Sequence, residues 1–379
     1  MEQPFDMSDF GAMLQRLGAM MQRADGVPAG SVDWASVHET ARGVIAQQGD
    51  PSVVDAERAR VRAASDLAQL WLDAVLDTPA PSTQALAWSR SEWLEATFDG
   101  WKALLEPIAQ SMERGVTDAL AAQELPADMG QMIEQMTRIA RGMASMMAAQ
   151  QVGQALGALA GDVWGPSDIG VPLTRDGAVA LVTGNTRAFA EAHELPLRDV
   201  ETYLALREAA AQRLFHAAPW IGPRLRDAIT EYASGVRVDH ERLREMLEGV
   251  DPSDPSSMQR ALGGGGLELP MTAGQTTALA RVELLIALIE GWIDHVTEAA
   301  HAGRIGGAAA IREALRRRRA VGGPAERTFG QLLGIELRPR KLREASEFWA
   351  AQDPAERDGL WRHPDFLPST LDVEPDADL

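Results

Sequence analysis

The chain has 379 residues, 45% of them apolar and ten of them Trp, so it is long enough and apolar enough to bury a large core and is not a disordered chain. Its net charge of −19, from 36 Lys plus Arg against 55 Asp plus Glu, argues against nucleic acid or an anionic membrane as a partner for the whole protein. Cysteine is absent, which removes disulfides, thiolate metal sites and cysteine nucleophiles, so any metal site must be built from His, Asp and Glu.

The opening residues Met1 to Asp6 include Glu2 and Asp6 and carry no basic stretch ahead of an apolar run, so a signal peptide is not expected and a cytoplasmic location is. Phe10, Met13, Leu14, Leu17 and Met21 repeat at three- and four-residue steps, the spacing of one apolar helix face. Residues 1–50 therefore read as an N-terminal helical extension, with a turn from Asp25 to Gly30 and a second helix starting near Trp34. Residues 51–165 read as a helical bundle, with breaks expected at Pro79 to Pro81, at Pro107 and at Pro126.

Within that bundle the Met-rich run Met129 to Met147 suits irregular core filling. Gly142 to Gly161 is a run of 20 uncharged residues, but Ser145, Gln150, Gln151 and Gln154 fit a buried bundle helix better than a membrane span. Gly153, Gly157 and Gly161 clear one side of that helix for close approach of a neighbour.

After Gly165-Pro166 the pattern changes, and Ala178 to Thr183 reads as a short strand between turn residues. Residues 166–369 form the second unit, interrupted by a Pro-, Ser- and Gly-rich loop from Asp251 to Gly266. Residues 370–379 form an acidic tail expected to fray. The fold class predicted is mainly α, a helical bundle with a short strand or small sheet.

Two helices carry the functional argument. The pattern from Asp199 to Ala217, between Pro196 and Pro219, predicts a helix whose inward face holds Val200, Tyr203, Leu204, Arg207 and Ala211. An inward guanidinium stays charged, so something acidic should face it. The pattern from Thr272 to Ala299 predicts a central helix, apolar on nearly every side, with Thr272 as N-cap. Glu283, Glu290 and Asp294 fall on it as one acidic stripe, and Glu290 is the natural partner of Arg207.

Gly177 to Asn185, Leu195-Pro196, Leu206-Arg207-Glu208-Ala209-Ala210-Ala211 and Phe215-His216-Ala217-Ala218-Pro219-Trp220 occur in this order, followed by Leu288 to His295, Arg338 to Ala345 and Leu360 to Pro364. Together they resemble the zincin-like metallopeptidases of actinobacteria, a resemblance that covers most of the chain. It implies a zincin-like helical core in which a strand leads into a helix bearing His-Glu-x-x-His, with a Glu from a later helix completing a zinc site. Two imidazoles four residues apart plus a carboxylate hold zinc with an open position, and the motif Glu polarises the bound water.

Matched position by position, Arg207 stands where the first His belongs and Ala211 where the second belongs, while Glu208 keeps the general-base position and Glu290 the third-ligand position. The resemblance thus implies the family's fold with a degenerate site, a pseudoenzyme in which no cofactor is expected. The predicted function is a non-proteolytic scaffold or interaction protein with an unknown protein or peptide partner, binding in the crevice between the two motif helices.

Two alternatives stay open. An active metal-dependent hydrolase could use a displaced site of Glu208, Glu290, Asp294 and either His216 or His295, although adjacent positions such as Asp294 and His295 point about 100° apart on a helix. Nucleic acid could bind the run Arg316-Arg317-Arg318-Arg319, although no aromatic residues interleave it and intramolecular pairing with the acidic excess explains it equally. Neither a phosphate-binding loop nor a nucleophile elbow occurs.

Overall fold

A computed structural model describes residues 32–81, 85–121, 130–174, 177–234, 271–320 and 339–371, together with 322, 323, 327, 330 and 332. The expected helix over residues 10–21, Pro126, the loop over residues 251–266 and tail residues 372–379 lie outside the described residues.

The described chain runs α1 (Trp34–Gln48), α2 (Asp55–Leu72), β1 (Leu86–Trp88), α3 (Arg90–Ala121), α4 (Gly130–Ala160), β2 (Ala180–Val182), α5 (Thr183–Ala192), α6 (Leu197–Ala217), α7 (Ile221–Ser234), α8 (Ala273–His301), α9 (Ala308–Ala320), α10 (Pro339–Ala350) and α11 (Pro354–Arg357). It is mainly helical with one small sheet, as the sequence pattern predicts. Buried apolar side chains form one cluster from Val32 to Leu371. No helix among the described residues is long and apolar enough to cross a membrane.

The close approach read from the glycine spacing is between α4 and α1. A Cβ on Gly153 would stand 2.7 Å from the Val37 carbonyl oxygen, and one on Gly157 would stand 2.6 Å from Val44 Cβ and 2.8 Å from the Ala41 carbonyl oxygen. The Met-rich run is not all core, because Met146 and Met147 are exposed at 46% and 52% on the outer side of α4.

Three expectations about breaks and strands need correction. Pro107 lies inside α3, which continues through it while burying Trp93, Trp101, Leu104 and Leu105, so packing outweighs the hydrogen bond that proline cannot donate. The strand β1 falls where only helices were expected. It pairs in parallel with β2, Leu86 opposite Ala180 and Trp88 opposite Val182, and a partner more than 90 residues away leaves no local signal. β2 is shorter than the Ala178 to Thr183 expected, because Thr183 opens α5 directly.

The helix α6 begins two residues earlier than the pattern suggested and is buried along its whole length from Val200 to Phe215. It packs on α2, α8, α5, α9 and β2. Ala205, Ala209, Ala210 and Ala211 keep its surface small enough for these neighbours to close around it. The helix α8 starts at the expected cap, where the Thr272 hydroxyl accepts from the Gln275 amide and the Gln275 side chain accepts from the Thr272 amide.

Replacing Gly157 by Leu should push α4 off α1 and lower stability by about 2 kcal/mol or more. Replacing Gly43, whose Cβ position is open, by Ala should instead raise it by up to about 1 kcal/mol. Urea denaturation midpoints of the two variants check both signs.

Candidate active site

The site lies where α6, α8, α9 and the turn Trp164 to Gly170 meet, just before β2. That turn is tightly specified. A Cβ on Gly165 would stand 2.6 Å from Glu208 Oε2 and 2.8 Å from the Ala180 carbonyl oxygen, and Gly170 sits at φ +72°, where glycine alone is unstrained. The Trp164 amide donates to Asp168 Oδ2 at 3.3 Å. A small cavity of about 20 Å³, space for a water molecule, is lined by Ser167, Asp168, Arg207, Glu208, Ala211 and Glu290 among others.

Glu208 is bound on both oxygens. Its Oε2 accepts from Ser167 Oγ at 2.5 Å and from the Ser167 amide at 3.3 Å, while Oε1 accepts from Gln212 Nε2 at 2.7 Å. These donors are neutral, and burial dominates, pushing the carboxyl up to about 7 against those hydrogen bonds and with help from Asp168. Glu208 ties the motif helix to the turn.

Arg207 points the other way, to α8. Its Nη2 donates to Glu290 Oε2 at 2.9 Å and its Nη1 to Asp294 Oδ1. Arg319 of α9 completes the cluster, donating to Glu290 Oε2 at 2.5 Å and lying 3.8 Å from Asp294 Oδ1. Burial disfavours charge on Arg207, but Asp294 and Glu290 outweigh it and hold the guanidinium protonated more firmly than usual. Burial pushes Asp294 up, yet Arg207 and Arg319 together bring it below the ordinary carboxylate range. Burial also lifts Glu290 against the pull of Arg319 and Arg207; with two guanidinium donors on one oxygen, the ionised form is the one this geometry serves.

The remaining residues singled out in the sequence lie elsewhere. His216 is exposed in the last turn of α6. His295 is half-buried, its imidazole pushed down by burial and by Arg357 with Asp358 opposing, and it does not line the cavity. Within the arginine run, Arg317 pairs with Glu313 at 2.8 Å and Arg318 lies 3.7 Å over the Trp164 ring, so two of the four arginines, Arg318 and Arg319, are turned toward the site.

Two members were missed by sequence reasoning. Arg319 was placed only in a basic run, and its place beside Glu290 could have been sought in the acidic stripe that needs more than one cation. Ser167 carried no signal beyond its place in a Gly-Pro-Ser-Asp turn. Arg213, also on α6, is fully buried and is held by Gln69, the Thr78 carbonyl and Asp73 at 2.6 Å.

The residues present do not fit a zinc ion. At the positions that the resemblance assigns to metal ligands stand the permanently charged guanidinium of Arg207, the methyl group of Ala211 and the carboxylate of Glu290, which two arginines bind. Among the described residues no group of three or more His, Asp or Glu side chains is arranged to hold a metal.

Because the folded pKa of Glu208 lies above its ordinary value of 4.5, the stability tied to its protonated form is fully present below about 4.5 and is lost as pH rises through about 7. Glu208→Gln, which stays neutral, should therefore gain on the natural protein mainly between about pH 4.5 and about pH 7 and hold level above that. Melting temperatures of both proteins across that range check the sign.

No curated protein matches the sequence. Among solved structures, the chain is similar to a crystal structure from Chloroflexus aurantiacus described as a "putative hydrolase with a novel fold", at 20% identity and a TM-score of 0.60, covering 90% of this chain and 95% of that one. At that identity the likeness concerns the fold. The model of the zincin-like metallopeptidases matches residues 32–378, nearly the whole chain. With nearly the whole chain matched, it belongs to the zincin-like metallopeptidase family.

Proposed function

We propose that this protein is a family member without metallopeptidase activity, a scaffold or interaction protein that keeps the fold and has given up the metal. The observation that carries this reading is the engagement of Glu290 by Arg207 at 2.9 Å and by Arg319 at 2.5 Å, in a site whose second histidine position is Ala211. A metallohydrolase needs an open coordination position on a Lewis acid and a base beside it. Here Glu208 remains, but its oxygens are taken up by Ser167 and Gln212.

A displaced carboxylate and histidine site has less support, since His216 is exposed and His295 does not line the cavity beside Glu208 and Glu290. Nucleic-acid binding through Arg316 to Arg319 is weakened by the partners that Arg317, Arg318 and Arg319 have within the chain. The partner in this reading is a protein or peptide, and a cytoplasmic location is part of the proposal.

Elemental mass spectrometry of the purified full chain, paired with hydrolysis of peptide and ester substrates with and without added zinc, tests the proposal. The expected result is far less than one metal ion per chain and no zinc-dependent hydrolysis. About one bound metal per chain, or hydrolysis that a chelator abolishes and zinc restores, would overturn it.

A further inference from the structure

We propose that Arg207 and Arg319 act together as a built-in substitute for a divalent cation, and that Arg319 closes the site to metals even when both motif histidines are put back. This rests on the metal-free reading above and adds a residue to it that lies outside the motif helices.

The charges balance as they would around a divalent ion. Two guanidiniums face two carboxylates, and the sharing is crossed: Glu290 Oε2 takes a hydrogen bond from each arginine, and Asp294 Oδ1 takes Arg207 while lying 3.8 Å from Arg319. Side-chain exposure is 10% for Arg207, 7% for Glu290, 14% for Asp294 and 20% for Arg319. At such burial a missing positive charge leaves a carboxylate uncompensated in a poorly solvating environment.

Arg319 is also held in place from the side. Its neighbour Arg318 stacks on Trp164, the first residue of the turn that lines the cavity, so α9 is joined at once to that turn and to α8. The third acid of the α8 stripe follows the same rule, since Glu283 accepts from Lys341 of α10 at 2.8 Å. The acidic face of α8 thus takes its positive charge from arginine and lysine side chains on α6, α9 and α10. A metal at Glu290 would have to remove Arg319 as well as Arg207.

The test uses the full chain in two independent measurements. Zinc affinity is compared, by competition with a chromogenic chelator, between the Arg207→His, Ala211→His variant and the same variant carrying Arg319→Gln. The expected result is at least about tenfold tighter zinc binding when Arg319 is replaced; equal affinity would overturn the proposal. Melting temperatures are then measured for Arg319→Gln, Glu290→Gln and the pair together in the otherwise natural chain. Arg319→Gln alone should lower the melting temperature by about 5 °C, and adding Glu290→Gln should recover part of that loss. Strictly additive losses, or a melting temperature unmoved by Arg319→Gln, would refute the role of Arg319. Metal in the natural protein would instead refute the reading on which it rests, so the two failures are distinguishable.

Discussion

The burial of α6 from Val200 to Phe215 is the constraint on which the rest of the structure depends. A helix enclosed from Val200 to Phe215 cannot leave a polar side chain unpaired, because every donor or charge on it is out of reach of bulk water. Its polar residues therefore dictate what surrounds it. Arg213 draws in the end of α2 through Gln69 and Asp73, and Glu208 draws in the Trp164 to Gly170 turn through Ser167. Arg207 draws in α8 and, through shared carboxylates, α9. The alanines between them let these partners come close.

Adjacent residues on this helix have opposite electrostatic fates. Glu208 meets only neutral donors, and burial raises its carboxyl toward neutrality. Arg207 turns away toward two carboxylates and keeps its charge. Here the two functions are separate: a hydrogen-bonded carboxyl pins the turn, and an ionic cluster pins α8 and α9. The chain keeps the family's architecture over nearly its whole length with these two separate sets of contacts around α6.

Much of this was legible in the sequence, and the reasons differ by element. The long helices α6 and α8 follow from sustained apolar periodicity and from a capping residue, Thr272, whose chemistry is local. The close packing of one face of α4 follows from Gly153 and Gly157, because small residues at four-residue spacing clear a face for a neighbour, but that the neighbour is α1 does not. The inward position of Arg207 and the presence of acids on a facing helix follow from helical geometry alone. The short strand β1 and the continuation of α3 through Pro107 do not, since each is stabilised by a partner distant in the chain.

The sequence by itself determined the helical class and the two helices that bear Arg207 and Glu290, because periodicity and residue identity are properties of neighbouring positions. Tertiary structure alone decided which cations answer Glu290 and Asp294. Arg319 lies 29 residues beyond Glu290 in a run of four arginines that look alike in one dimension, and only the packing of α9 selects it. Ion pairs across elements depend on distances that no local pattern encodes, and burial then makes the chosen pairing strong.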